Sequence, residues 1–588
     1  MSRFSIGDRD FLLDGEPHRI ISGALHYPRI HPGDWADRIE TARRMGLNTI
    51  ETYVMWNAHE PLRGEWNAEG WNDLGRFLDL VAEAGMHAIV RPGPYVCAEW
   101  QGGGLPAWLT AMPGIGLRSS EPTYLAEVET YLRRVYEIVA PRQIDRGGNV
   151  ILVQIENEYG AYGSDKAYLA ELVRITQDAG ITVPLTTVDQ PQPQMLRDGS
   201  LPGLHMTGSF GSRAAERLAT LRDHQPTGPL MCSEFWCGWF DWWGNEHHTT
   251  SAADSAAELD ALLAAGASVN IYMVHGGTNF GLNNGANHKG RYLPIATTYD
   301  YDAPIDEAGD PTDKYFAFRD VIARHTTVTE PAPPRAADRP EVTAPLTSLG
   351  DWRLAVETAA AVADAPPTFE DLTHVSALIE YTAEIPAEAF GDAETALLTV
   401  DGVRDLAWVE VDGVRVGSLA RTWHERRLTI PRGRTVSILV EDQGRVNYEK
   451  RIGEPKGLFG PRVAGLPLVG WTATPIDVAA VGERLTEATA PAEPLTAPAT
   501  APVALRGGFT LDAPSDLFLS TDGLGKGYAF VNGFFLGRYW SNGPQRTLYV
   551  PGPATRAGDN TVVLLELEGT AETQARFVAR PHLGQSVQ

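Results

Sequence analysis

The chain has 588 residues, 43% hydrophobic and 21% charged, an ordinary balance for a multidomain globular protein. Lysine and arginine number 49 against 75 aspartates and glutamates, a formal net charge of −26. Coulomb repulsion at that charge argues against nucleic acid or an anionic membrane as partner and favours a neutral or small ligand.

The opening Met1 to Asp8 lacks the apolar core of a signal peptide, and the chain has no uninterrupted run of 18 or more apolar residues, so the expected location is the cytoplasm. Phe11 to Pro17 carries an Asp14-Gly15 hairpin signal. From Ile20 to about Phe316, short apolar runs alternate with amphipathic stretches. The runs predict strands at Ile20–Ala24, Thr49–Tyr53, Ala88–Arg91, Val150–Ile155, Val183–Thr187, Leu204–Thr207, Leu230–Ser233 and Val269–Val274. Apolar residues every three or four positions predict helices at Trp35–Met45, Leu74–Ala84, Tyr124–Val139, Tyr168–Asp178 and Ala256–Ala264. Strand then helix, repeated about eight times over ~300 residues, predicts a (β/α)8 TIM barrel with insertions. An open doubly wound sheet is disfavoured, because no G-x-G-x-x-G follows the first strand and polar or aromatic residues end many different strands.

The composition shifts at the Pro-rich Thr326 to Pro334, and the chain beyond it looks all-β. A second Pro/Ala/Thr-rich segment, Thr486 to Pro502, separates two units that share a weak repeat. Val411-Asp412-Gly413 corresponds to Val531-Asn532-Gly533, and Leu428 to Pro431 corresponds to Leu548 to Pro551 at the same offset. The expected organisation is a catalytic barrel over 1–328, a linker over 329–345, an all-β domain over 346–485, a connector over 486–502, and a second jelly-roll-like sandwich over 503–588.

The chemistry gathers at strand ends. Val150 to Ile155 is launched by Gly147-Gly148, runs into Glu156-Asn157-Glu158 and closes at Gly160, bringing carboxylates to the rim of a core. Leu230 to Ser233 likewise runs into Glu234, then Phe235-Trp236. Barrel strand ends converge on one mouth, so Glu158 and Glu234 can face each other across a cleft. Glycosidic cleavage needs such a pair: one group protonates the leaving oxygen while the other attacks the anomeric carbon or activates water, and about 5 to 5.5 Å separates a retaining pair. Tyr53, Trp56, Arg91, Glu99 and Tyr301 follow other predicted strands. No G-x-S-x-G, H-E-x-x-H or EF-hand pattern occurs, and His247-His248 is read as exposed loop, so no metal is expected. Cys97, Cys232 and Cys237 form no C-x-x-C pair and are read as free, mostly buried thiols without a catalytic role.

The segment Gly147 to Tyr159 closely resembles the signature of the glycoside hydrolase family 35 β-galactosidases, which usually have Pro where this chain has Asn149. Arg91 to Trp100, Ser233 to Trp239, Tyr299 to Pro304 and Lys526 to Gln545 are similar to that family as well, so the resemblance spans nearly the whole chain. It implies a retaining exo-acting enzyme that removes terminal β-D-galactose from short oligosaccharides, with Glu158 as acid/base and Glu234 as nucleophile. It further implies that Tyr53, Ala98, Glu99, Asn157 and Tyr301 hold the galactose and that no cofactor is needed. Trp236 stands where many members have Tyr. The alternatives are a retaining glycosidase for another β-linked sugar and a catalytically silent galactoside-binding protein. The Trp-rich loop after Glu234 resembles that of bacterial members preferring β-1,3-linked galactose, and Trp242 or Trp243 is expected to line the leaving-sugar subsite, against the simpler reading that both pin the loop to a β domain. A homodimer is left open as the assembly.

Overall fold

A computed structural model describes residues 3–374, 377–488 and 493–587. Eight parallel strands close a barrel in sequence order: β1 (Ile21–Leu25), β2 (Thr49–Tyr53), β3 (His87–Arg91), β4 (Val150–Gln154), β5 (Leu185–Asp189), β6 (His205–Ser209), β7 (Met231–Trp236) and β8 (Ser268–His275). β8 pairs with β1 and completes the ring. The strands are buried over almost their whole length, which is why they read as apolar runs rather than alternating ones. Helices cover the outside, including the predicted Trp35–Met45 and its counterparts Leu74–Glu83, Pro122–Val139, Lys166–Asp178 and Ala252–Ala264. Three more leave little trace in the sequence: Pro193–Asp198 is short, Ala214–His224 buries only Ala214, Leu218 and Leu221, and Asp313–His325 begins where the alternation fades.

Two glycines let β4 carry its chemistry. A Cβ on Gly148 would meet the Arg142 carbonyl oxygen at 2.1 Å, and one on Gly160 would meet that of Met195 at 2.0 Å. Both ends of the motif therefore pack backbone against backbone. Asn149 has its own use: its Nδ2 donates to the carbonyls of Leu78 and Met86, tying the strand entrance to the neighbouring helix.

Beyond the barrel lie two β-sandwiches. The first is built on a six-stranded sheet around Leu378–Glu384, Leu406–Val411 and Thr435–Glu441, faced by a four-stranded sheet that includes Thr395–Thr399 and Arg427–Pro431. The second differs from the expected boundaries. Val342–Gly350, which straddles the expected linker and first β domain, belongs to the C-terminal sandwich: its first half pairs with Gln574–Val578 and its second half with Val503–Leu511. The strand crosses from one sheet to the other and forms a corner of the sandwich. Its apolar Ala344 and Leu346 sit in the same core as Leu505 and Phe577, which is the physical reason for the reassignment.

The internal repeat is structural. Val411 pairs with Val414 across Asp412-Gly413, and Val531 pairs with Phe534 across Asn532-Gly533, with left-handed φ at all four turn residues. Each hairpin has a register shift two residues before the turn, and Asp412 and Asn532 each accept a backbone N–H from a neighbouring strand. Among the described residues no helix is long and apolar enough to cross a membrane.

Candidate active site

At the C-terminal end of the barrel, Tyr53, Ala98, Glu99, Asn157, Glu158, Glu234, Trp236 and Tyr301 line one cavity of about 210 Å³. Glu234 is the most heavily braced. Its Oε1 accepts from Arg91 Nη2 at 2.5 Å and from Tyr53 Oη at 2.9 Å, and its Oε2 accepts from Trp236 Nε1 at 3.1 Å. Three donors from three strands fix the rotamer and compensate the carboxylate charge. Trp236 therefore both lines the cavity and holds Glu234.

Asn157 is oriented by the same groups. Its Oδ1 accepts from Tyr53 and Arg91, so the amide Nδ2 is left as a donor. Among the described residues the Glu158 carboxyl has one side-chain donor, Ser209, whose hydroxyl donates to Oε1 at 2.7 Å. Ser209 is the register partner of Glu234, which brings the two carboxyls to one stretch of wall. Burial, then the charge of Glu234, pushes the Glu158 carboxyl up to about 7, so it holds a proton through the mildly acidic range.

The two carboxylates flanking Asn157 have opposite fates. Glu156 turns away from the cavity and accepts two hydrogen bonds from Arg118, one from Tyr168 Oη and one from the Asn157 backbone N–H. Arg118 is stacked between Tyr95 and Tyr162 at 3.8 and 4.3 Å. Glu156 is thus an anchor, and Glu158 alone faces the cavity. Left-handed φ values at Glu156 (58°) and Glu158 (44°) separate the two side chains.

The far wall is strained in the same way. Cys97, Ala98 and Glu99 have φ of 60°, 52° and 49° in succession, and Tyr301 has 63°. Arg29 holds this loop: it donates to the Ala98 carbonyl and lies 3.6 Å from the Tyr299 ring centroid. Glu99 Oε2 accepts from Tyr299 Oη, while Oε1 meets only the Cys97 thiol at 3.9 Å and stays available to a ligand hydroxyl. Burial pushes Glu99 up to about 7. The three thiols are free; Cys232 and Cys237 are buried, and Cys97 is half-buried in the cavity wall with its thiol pushed up by burial.

Trp242 and Trp243 are not brought to the cavity. Trp242 Nε1 donates to Asn287, Trp243 donates its backbone N–H to the Pro294 carbonyl, and Gly244 donates to Gly543 of the C-terminal sandwich. Both rings are buried, Trp242 in the barrel core beside Phe240, and the Gly244 backbone ties the loop to the sandwich. Trp239 and Phe240, a few positions earlier, line the cavity instead. His247 and His248 also differ from expectation: both ring Nδ1 atoms meet the buried Asp241, and His247 is itself buried.

Gln190, Tyr272, Asn287, Lys289 and Tyr448 complete the lining, and no motif in the sequence marks them. Tyr448 comes from the first β domain. The segment before it is stitched to the barrel: Asn447 donates its backbone N–H to the Ala286 carbonyl, Ala286 donates its own to the Arg445 carbonyl, and Asn447 Oδ1 accepts from Asn287.

Residues 10–325 match the family model described as glycosyl hydrolases family 35. Residues 366–477 match the first all-β domain of β-galactosidase, and 502–560 match the β-galactosidase galactose-binding domain. The chain is 40% identical to a β-galactosidase of Bos taurus, covering 95% of this chain and 89% of the relative. It is 38% identical to a β-galactosidase of Xanthomonas manihotis (94% and 92%) and 38% identical to a β-galactosidase-1-like protein of Mus musculus (100% and 93%). The barrel with its strand-end carboxylates and the full-length likeness agree: the chain belongs to family 35 of the glycosyl hydrolases, whose members cleave glycosidic bonds by a retaining double displacement.

Proposed function

We propose that the protein is an exo-acting β-galactosidase that removes terminal non-reducing β-D-galactose from short oligosaccharides, with a preference for β-1,3 linkages. The observation that carries this reading is the division of labour between two carboxyls in one small cavity: Glu234 is charge-compensated and held by three donors, while Glu158 is kept protonated toward neutrality.

Glu234 attacks the anomeric carbon as Glu158 donates its proton to the leaving oxygen, forming a covalent galactosyl ester. Glu158, now ionised, takes a proton from water, which releases galactose with retained configuration. The free Nδ2 of Asn157 suits the sugar 2-OH, a bond that strengthens as positive charge builds at the ring. Glu99 accepts from a sugar hydroxyl through its Oε1. Tyr448, Trp239 and Lys289 stand on the wall as well and offer flat faces and a cation to the leaving sugar.

The test is hydrolysis of an aryl β-D-galactoside beside the Glu234→Gln variant, then of galactosyl disaccharides of differing linkage. Turnover no faster than that variant's would identify a silent binding protein. Faster cleavage of another aryl β-glycoside would overturn galactose as the substrate sugar, and equal rates on β-1,3, β-1,4 and β-1,6 disaccharides would overturn the linkage preference.

A further inference from the structure

The hairpin of Ala286–His288 and Tyr292–Pro294 has two occupied sides. Asn287 and Lys289 line the catalytic cavity, whereas His288 and Gly290 line a second cleft of about 240 Å³ between the barrel and the first β domain. Alternation along the chain sends successive residues to opposite sides, so one hairpin forms a shared wall.

The second cleft is cationic, on a chain of net charge −26. Arg404, Arg421, Arg426 and Arg451 line it, with Asp401 and Glu425 as its only acidic lining residues among those described. Two of the arginines have internal partners: Arg421 pairs with Asp405 and Glu454, and Arg451 with Glu454. The other two form no ion pair with a carboxylate among the described residues. Arg404 donates to the Pro455 carbonyl and lies 4.6 Å from the Phe459 ring centroid. The Arg426 guanidinium has no hydrogen bond or ion pair among the described residues. Asp401 is committed to Arg462, and Glu425 accepts from the Ala420 backbone N–H.

Crowding guanidinium groups costs energy unless something offsets the repulsion. The local field is visible in its neighbours. Burial, and then Arg451 and Arg421, hold the His288 imidazole below its ordinary range. Burial, opposed by Glu454 and reinforced by Arg421, lowers Arg404. At the rim stands Trp423, 62% exposed, next in sequence to the lining residue His424 and 5.7 Å from the Arg291 guanidinium. Thr422 donates to the Tyr292 carbonyl, fixing this turn to the hairpin. The solvent-facing indole offers a stacking face, and the lining that includes its neighbour His424 offers oxyanion donors at Arg404 and Arg426, a combination that suits a sugar carrying a carboxylate or sulfate.

We propose that this cleft binds the oxyanionic sugar of an acidic glycan, with Arg404 and Arg426 taking the carboxylate or sulfate and Trp423 covering the ring. On the β-galactosidase reading, on which this further step rests, the cleft holds a distal acidic residue of a chain whose galactose end enters the catalytic cavity.

The test is calorimetric titration of the full chain, with galactose filling the catalytic cavity, using glucuronate, glucose 6-sulfate and inorganic sulfate as probes. At least one acidic sugar should bind at least tenfold more tightly than inorganic sulfate and should weaken as salt rises. The double variant R404Q/R426Q should lose that binding by tenfold or more. Trp423→Ala should weaken the sugar several-fold and leave inorganic sulfate unchanged. Aryl galactoside turnover should stay within twofold in all variants, since none of these residues lines the cavity. The proposal is overturned if neither acidic sugar binds, if the double variant binds as well as the parent, or if inorganic sulfate binds as tightly as both sugars. Absence of aryl galactoside turnover in the parent would instead strike at the β-galactosidase reading, because the titrations do not depend on catalysis.

Discussion

Two buried clusters of charge lie within this molecule and are balanced in opposite ways. At the junction of the three domains, Glu441 meets Lys526 at 3.1 Å and Arg538 at 3.5 Å and accepts from Tyr528. Beside it, burial pushes Asp442 up, but Lys456, Arg445 and Arg538 together pull it down to about 2. Arg538 also donates to the Asp442 carbonyl and to Asn284 of the barrel, so the cluster touches every domain. On the catalytic floor Arg91 serves both Glu51 and Glu234, while Glu158 forms no ion pair among the described residues, and burial raises Glu51 and Glu158 to about 7. Matched charge makes a joint; unmatched charge makes a reagent.

The sharpest way to break this contrast is to neutralise one member of each cluster. Glu158→Gln should lower kcat on a galactoside with a poor leaving group by about 10²- to 10⁴-fold, the usual contribution of a general acid, with Tm unchanged or raised. A fall in Tm matching that of a junction variant would mean that Glu158 is structural. Asp442→Asn leaves the buried Lys456 with Asp405 as its one carboxylate and removes the charge facing Arg445 and Arg538, so it should cost about 1.5–3 kcal/mol of stability by denaturant titration. The folded fraction should keep kcat within about threefold, and a variant that stays fully stable would refute the account of the joint.

pH separates the two clusters next. Glu158 acts as an acid, so kcat/KM should fall as pH rises through about 7. Glu51, Glu99 and Glu158 are raised in the folded state, so the stability they contribute is present below the ordinary carboxylate range and lost as pH climbs through about 7. Asp442 is depressed, so its contribution is lost only as pH falls toward about 2. Calorimetric scans should show Tm declining between about pH 4.5 and 7 and levelling above that, with a smaller decline in Glu158→Gln. The same decline in both proteins would remove Glu158 from the explanation. The smallest expected effect concerns the rim of the floor. Trp239→Ala should lower kcat/KM for a galactosyl disaccharide by about tenfold (~1.4 kcal/mol) more than for an aryl galactoside. Trp243→Ala, in the packed part of the loop, should lower Tm without altering that ratio; the reverse pattern would restore Trp243 to the subsite.

The barrel was legible in the sequence because strands buried on both faces leave unbroken apolar runs, and Glu158 and Glu234 because each ends such a run. Their partners were harder to read. Ser209 and Gln190 are ordinary polar residues whose importance comes from register, and Tyr448 lies 290 residues beyond Glu158 on another domain. Trp242 and Trp243 misled because composition reports how many rings a loop has and not which way they point. Val342–Gly350 was hidden by the Pro-rich stretch before it, which resembles a linker, while its partners lie after the whole first β domain.

That strand also dictates an order of assembly. Val342–Gly350 leaves the ribosome more than 150 residues ahead of Val503–Leu511, the strand that pairs with its second half. At ~5–20 residues per second the wait is roughly 8 to 30 s, during which the barrel and the first β domain can finish folding. The first β domain is thus a guest enclosed within the sequence of its host. A nascent chain stopped after residue 488 would carry two completed units and one unsatisfied strand edge, an invitation to pair with another chain.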